Sequence, residues 1–217
     1  MKPKKIVKIG YALILANTLS FSSVAAIRPI SIEQCEKMKM QEVITDKNPV
    51  PCDRLRKVSF PFINFAGSED KGQIVVLDAV AERTQIIFDT LFKQKFPINK
   101  ALLMEIYDGD DNASMNDNNT SAFNGRPITG GSDWSLHAYG VAIDPLQNPY
   151  ISFDDPAHAT ILPPKAASLS INRLNYRPKK DFRVGMAEQA IDIFAENGFI
   201  GWGGYWNYPI DYQHFEI

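Results

Sequence analysis

Cysteine, histidine and long apolar runs are what this chain of 217 residues has least of. It holds two cysteines, Cys35 and Cys52, and no histidine lies near either. That is too little for a thiolate metal site. In an exported protein an even pair reads instead as a disulfide, expected to contribute about 3 kcal/mol by restricting the unfolded chain. Positive charge is not in excess: 23 Lys and Arg stand against 25 Asp and Glu, a formal charge of −2. A phosphate-driven nucleic-acid binder needs the opposite balance, so that class is excluded. There are no internal repeats.

Only one stretch is apolar enough to suggest a membrane. MKPKKIVK carries four lysines and no acid, and Ile9 to Ala26 then runs without a charge. A positive start, a short apolar centre and the small exit Val24-Ala25-Ala26 describe a secretory signal peptide over residues 1–26. Asn17, Thr18, Ser20, Ser22 and Ser23 weaken a spanning reading, although an uncleaved anchor stays open. Cleavage near Ala26 removes the four lysines and takes the formal charge from −2 to −6. The product is expected to be exported, periplasmic or extracellular, and monomeric.

The remaining chain suits one domain. Residues 27–73, with Pro29, Pro49, Pro51 and Pro61, are expected to be irregular and pinned by the disulfide, and 74–217 to form the functional domain. Val76, Val80, Ile87 and Leu91 fall near a 3.6 period and predict a helix from Ile74 to Phe96, ended by Pro97. ALLMEIYD (101–108) and WSLHAYGVAID (134–144) have strand-like composition. A second amphipathic helix is expected over 183–199, with Met186, Ala190, Ile193 and Phe194 inward and Gly198 as its stop. The fold class is α+β: a small, mostly antiparallel sheet with two or three helices. Between these elements lies a long loop, 109–135, rich in Gly, Asn, Asp and Ser. Loops of this length are usually functional or disordered, and Phe123, Arg126 and Trp134 argue against simple disorder.

The scarce histidines are placed tellingly. His137 lies seven residues before Asp144, and His214 sits in the closing segment DYQHFEI with Asp211 and Glu216. Two imidazoles and a carboxylate are a common catalytic zinc set. Donors on one zinc stand about 3–4 Å apart. The chain must therefore bend between His137 and Asp144, and Tyr139-Gly140 offers the place. Asp211 can act as a base beside such a centre. Glu216, two residues after His214, shares its face on a strand and can serve as base or as orienter of the imidazole. His158, in DDPAHAT, reads as an exposed loop residue. Taken singly, a histidine beside carboxylates is more often a surface residue than a ligand.

Ser135-Leu-His137-Ala-Tyr-Gly140-Val-Ala142-Ile-Asp144, followed at distance by Asp211-Tyr-Gln-His214-Phe-Glu216, resembles the zinc D-Ala-D-Ala carboxypeptidase family. That family includes vancomycin-resistance D,D-peptidases and phage L-alanyl-D-glutamate endopeptidases. The resemblance runs over about residues 74–217, both motifs are complete, and the loop ahead of His137 shares it. It implies a zinc site of the hedgehog and D-Ala-D-Ala peptidase type, with one Zn2+ on His137, Asp144 and His214, although cobalt or manganese can occupy such donors. It also implies Asp211 as catalytic base, Arg126 as the group that holds substrate and steadies the oxyanion, and Ser135 at the substrate rim. Members of the family often carry Cys where this chain has Gly125, which leaves the setting of the arginine open. Arg126 can alternatively be a loop salt bridge. Trp202, Tyr205 and Trp206 can line a groove or belong to the core, and Gly203-Gly204 can let backbone approach a substrate. The implied activity is hydrolysis of peptidoglycan stem peptides, as carboxypeptidase or endopeptidase. The rivals are a non-catalytic zinc-containing wall-binding module of the same fold, and a zinc amidase or other exported peptidase.

Overall fold

A computed structural model of the chain describes residues 26–145, 150–155, 158–162, 186–207 and 209–217. The expected signal segment, apart from Ala26, lies outside these residues, as do 183–185 of the expected second helix. No helix among the described residues is long and apolar enough to cross a membrane.

The segment expected to be irregular is regular. Strand β1 (Ala26–Pro29) pairs antiparallel with β2 (Leu55–Ile63), which pairs in turn with β3 (Glu69–Leu77). Helix α1 (Ile32–Met40) lies between, its first turn capped by the Ser31 hydroxyl, which accepts from Gln34 N. The prolines do not keep this segment irregular. Pro61 sits within β2, while Pro29 ends β1. The hairpin turns at Asn64, whose side-chain oxygen accepts from Ala66 N and Ser68 N. A boundary at residue 73 falls inside β3.

The predicted helix from Ile74 to Phe96 is half right. Ile74-Val75-Val76-Leu77 belongs to β3, as suits a run led by the β-branched Ile74, Val75 and Val76. Helix α2 (Ala81–Lys93) begins only after a turn of 3-10 helix at Asp78–Val80. Its inward face carries Ile87, Phe88 and Leu91, and Phe88 stacks on Phe60 of β2 with ring centroids 3.8 Å apart. Nor is 101–108 a strand. Leu102 spends its backbone N–H and C=O on the side-chain amide of Asn119, which takes the place of a neighbouring strand. A 3-10 turn, Met104–Tyr107, follows. The stretch from Trp134 holds a short helix, α4 (Leu136–Tyr139), before the two-residue β4 (Ala142–Ile143). Helix α3 (Asp111–Asn116) opens the long loop.

The second helix is present in part as α5 (Ile191–Glu196), with Met186, Ala190, Ile193 and Phe194 buried and Gly198 at a positive φ of 84°. Two more small antiparallel sheets complete the α+β fold. One has the order β4-β9-β7, with β9 (Phe215–Glu216) between β4 and β7 (Gly201–Trp202). The other has the order β6-β5-β8, from β6 (His158–Leu162), β5 (Tyr150–Asp155) and β8 (Ile210–Asp211). His158 therefore opens a strand and is not in a loop.

One apolar core runs from β2, β3 and α2 to α5 and β9, and includes Phe60, Phe88, Phe194 and Phe215. A second core under α1 includes Met38, Val43, Leu55, Val75 and Phe123. Alternation along β3 feeds both, with Ile74 and Val76 facing one and Val75 the other.

Candidate metal centre

Four short pieces of chain build the centre. The first is α4. Ser135 caps it, its hydroxyl accepting from His137 N at 3.2 Å, and Gly140 ends it at φ 70°. A Cβ at Gly140 would stand 2.6 Å from Leu77 N, so glycine is required there both for the angle and for the approach to β3. The bend expected between His137 and Asp144 is this helix end.

The second piece is residues 121–124, the part of the long loop that sequence reasoning could not resolve. Ser121 and Asp144 exchange both backbone hydrogen bonds, at 3.1 and 2.9 Å. The Ala122 carbonyl oxygen stands 2.6 Å from His137 Nδ1. Phe123 N donates to Val75 O on β3, and Asn124 N donates to His137 O. The loop is a strap that fixes two of the three candidate ligands. The third and fourth pieces are β8 and β9 with the turn between them. Phe215 is fully buried and stacks on Phe194 at 4.1 Å. Its neighbours His214 and Glu216 turn the other way, and His214 Nε2 donates to Glu216 Oε2 at 2.9 Å.

His137, Asp144 and His214 each place one donor atom within 4.8 Å of the others, and all three residues are buried. His137 Nε2 and His214 Nδ1 are 3.2 Å apart, and each lies 3.3 Å from a different oxygen of Asp144. These separations match donors arranged around one zinc ion. Proton positions point the same way. A carbonyl oxygen only accepts, so His137 Nδ1 carries a hydrogen and Nε2 turns a lone pair inward. Glu216 does the same for His214, whose Nδ1 then faces inward too. Asp144 adds a carboxylate, and its Oδ1 is a buried oxygen without a hydrogen-bond donor. Two lone pairs and an anion aimed at one point fit a cation. Without one, His214 must hold a second proton. Burial opposes that, but the Asp144 and Glu216 carboxylates beside it push the His214 imidazole up to about 10. Burial also opposes ionisation of Asp144, yet His137 and His214 hold its carboxyl well below the usual range.

Asp211, in β8, is 8% exposed. Burial first, and the charge of Asp144 second, push its carboxyl up to about 8. It therefore sits within electrostatic reach of Asp144 and His214. Sequence reasoning missed how it is seated. A Cβ at Gly203 would stand 2.3 Å from Asp211 O, and one at Gly201 would stand 2.5 Å from Glu216 Cγ. Gly203, expected to admit substrate, lies against the strand that carries Asp211, and Gly201 lies against Glu216. Gly204 faces the Trp202 ring in the same way.

The expected substrate residues divide. Ser135 is buried as a helix cap. Trp202 is core, and its indole N–H donates to Tyr212 O. Tyr205 is 68% exposed and meets Trp202 edge to face. Trp206 lies 5.1 Å from the His214 ring. Arg126 pairs with Asp111 at 2.8 Å. Gly125 has no room for a side chain, because a Cβ there would stand 2.3 Å from Asn48 Nδ2 and 2.7 Å from Val43 O. The 42–53 segment thus fills the space that a cysteine would need. That segment is tied to α1 by the Cys35–Cys52 disulfide.

Residues 129–217 match the family model described as D-alanyl-D-alanine carboxypeptidase. Over these residues the chain is similar to the zinc D-Ala-D-Ala carboxypeptidase family. The match covers less than half of the chain but takes in His137, Asp144, Asp211, His214 and Glu216 together. No curated protein and no solved structure matches the chain. Carboxypeptidases of this family are zinc-dependent, in agreement with the donor set that the fold assembles.

Proposed function

We propose that the chain is an exported zinc peptidase that hydrolyses peptidoglycan stem peptides, with one ion held by His137, Asp144 and His214. The observation that carries this reading is a set of three buried donors, their lone pairs turned to one point, beside a buried aspartate inside the family match. When bound, zinc supplies Lewis acidity, polarising the scissile carbonyl and making water acidic enough to react near neutral pH.

Asp211 takes the proton from the attacking water. The water oxygen bonds to the carbonyl carbon, the C–N bond breaks, and Asp211 returns the proton to the leaving amine nitrogen. Its enclosed position suits a group that must both accept and release a proton near neutral pH. Ala122 O and Glu216 hold the two imidazoles at fixed angles and tautomers. Arg126 offers a permanently charged planar fork to a substrate carboxylate, and Tyr205 an exposed aromatic face. Cleavage of the segment before Ile27 would place the domain where peptidoglycan lies.

The test is a digest of muropeptides by purified protein, read by mass spectrometry, with Asp211→Ala and His214→Ala as controls. Released peptide that disappears in both variants is the expected result, and product masses decide between carboxypeptidase and endopeptidase. Zinc-loaded protein that binds sacculi for hours without releasing peptide would overturn the reading in favour of a binding module.

A further inference from the structure

Asp111 opens α3, and its carboxylate stands 2.8 Å from Arg126 Nη2, with the two side chains 20% and 25% exposed. The chain has a second arginine–aspartate pair for comparison. Arg54 forks onto Asp78 through Nε at 2.7 Å and Nη2 at 2.8 Å, the arrangement that suits a purely structural clamp. Arg126 does not fork. Its Nη1 donates to Pro127 O, and its Nε is buried without a partner. An arginine that served only to tie down the loop would be expected to use that donor. Arg126 is also wired to the centre through its backbone. Ser135 N donates to Arg126 O, Arg126 N donates to Asn124 O, and Asn124 N donates to His137 O. On the other side of the pair, the charge of Asp111 is close enough to bear on Asp211. The pair therefore links the strap, through the Arg126 backbone, to a carboxylate whose charge reaches Asp211, with part of the guanidinium open to solvent.

We propose that Asp111 is the positioning residue for Arg126, holding the guanidinium beside the centre as a ready-made receptor for a carboxylate of the substrate. The inference rests on the peptidase reading and deepens it, because it names what sets the arginine that meets a free carboxylate on the peptide: Asp111 fixes its orientation before substrate arrives. Preorganisation of this kind acts on binding. Losing it leaves Arg126 charged but free to swing toward solvent.

The experiment compares full-length wild type, Asp111→Asn and Asp111→Glu. The probes are a stem pentapeptide with free carboxylates and the same peptide with its carboxylates amidated. In Asp111→Asn, KM for the free peptide is expected to rise about tenfold, with kcat within about twofold. The preference over the amidated peptide should shrink by the same factor, and Asp111→Glu should recover part of it. Zinc stoichiometry should stay at wild type throughout. Calorimetry of the metal-free proteins with both peptides gives a second readout that needs no turnover, and there wild type is expected to favour the free peptide and Asp111→Asn to lose that preference. Unchanged KM and unchanged discrimination in Asp111→Asn would overturn the inference, as would an equal loss on both peptides, which marks a merely structural role. If wild type cleaves neither peptide, the peptidase reading fails on its own. The calorimetric preference, kept or lost in Asp111→Asn, then still decides the role of Asp111.

Discussion

Residues 129–217 and residues 26–128 make unequal contributions. Among the described residues, the C-terminal part holds all three metal-donor residues and the proposed base, yet the strands that carry Asp211 and Glu216 are two residues long, and α5 has six. The N-terminal part holds two nine-residue strands, the thirteen-residue α2 and the disulfide. It lies outside the family match. Even so, the C-terminal chemistry leans on it at each step. Ala122 orients His137, Ser121 pairs with Asp144, Leu77 N donates to Gly140 O, and Asn124 N donates to His137 O. The chemistry sits in a motif, and the precision of its placement comes from a scaffold that the motif does not include.

If that division is real, the largest effect comes from the C-terminal side. His214→Ala should end stoichiometric zinc binding and peptide release together, while circular dichroism stays native because Phe215 keeps the strand in the core. Deleting 211–217 should also end zinc binding, and in addition should cost about 3–5 kcal/mol for Phe215 alone. A truncated chain that binds one zinc with full affinity would mean that the centre is elsewhere. Asp211→Asn should fall next in size, with kcat down about 10²–10⁴-fold and zinc still at one per chain. Loss of zinc in that variant would make Asp211 a ligand and not the base.

A change on the N-terminal side should behave in the opposite way. Cys35→Ser with Cys52→Ser should lower unfolding stability by about 3 kcal/mol, measured by denaturant titration, with zinc affinity unchanged in the folded protein. The bond closes a loop of 17 residues whose Val43 and Asn48 press on Gly125. A large fall in zinc affinity would show that scaffold and centre are coupled more tightly than the hydrogen bonds suggest.

These two halves were also unequally legible in the sequence. His137, Asp144, Asp211, His214 and Glu216 could be read because the chemistry needs those residue types, and short spacings fix their faces. Ala122 could not, since every residue has a carbonyl and only the fold decides which one meets an imidazole. Ser135 was legible as a residue but not as a role: before Leu-His it is a helix cap, and the helix is only four residues long. Gly203 and Gly204 signalled close approach correctly but not of what. In the scaffold, the aliphatic run Ile74 to Leu77 put Val76 on the helical period of Val80, Ile87 and Leu91 by coincidence. Its pairing with Leu55 to Val58 is a long-range contact that periodicity cannot see.

Glu216 offers the finest division between the halves, because it acts on the centre without joining it. In the metal-free protein the Asp144 and Glu216 carboxylates raise the His214 imidazole to about 10 even though burial opposes the charge. At neutral pH an incoming metal must therefore displace a proton from His214. Since the folded pKa lies above the ordinary value of about 6.5, apparent zinc affinity should climb by about tenfold per pH unit through the neutral range and flatten only above it. Glu216→Gln keeps an acceptor for Nε2 but removes the charge, with two opposed consequences. The imidazole is a poorer donor to zinc, so affinity at pH 9 should fall by about 10–100-fold. The competing proton is held less tightly, so the slope should flatten at lower pH and the loss at pH 6 should be smaller than at pH 9. Competition with a chromophoric chelator across pH 6–9 measures both. Parallel curves for wild type and Glu216→Gln would mean that Glu216 only orients the ring and that its charge does not reach the centre.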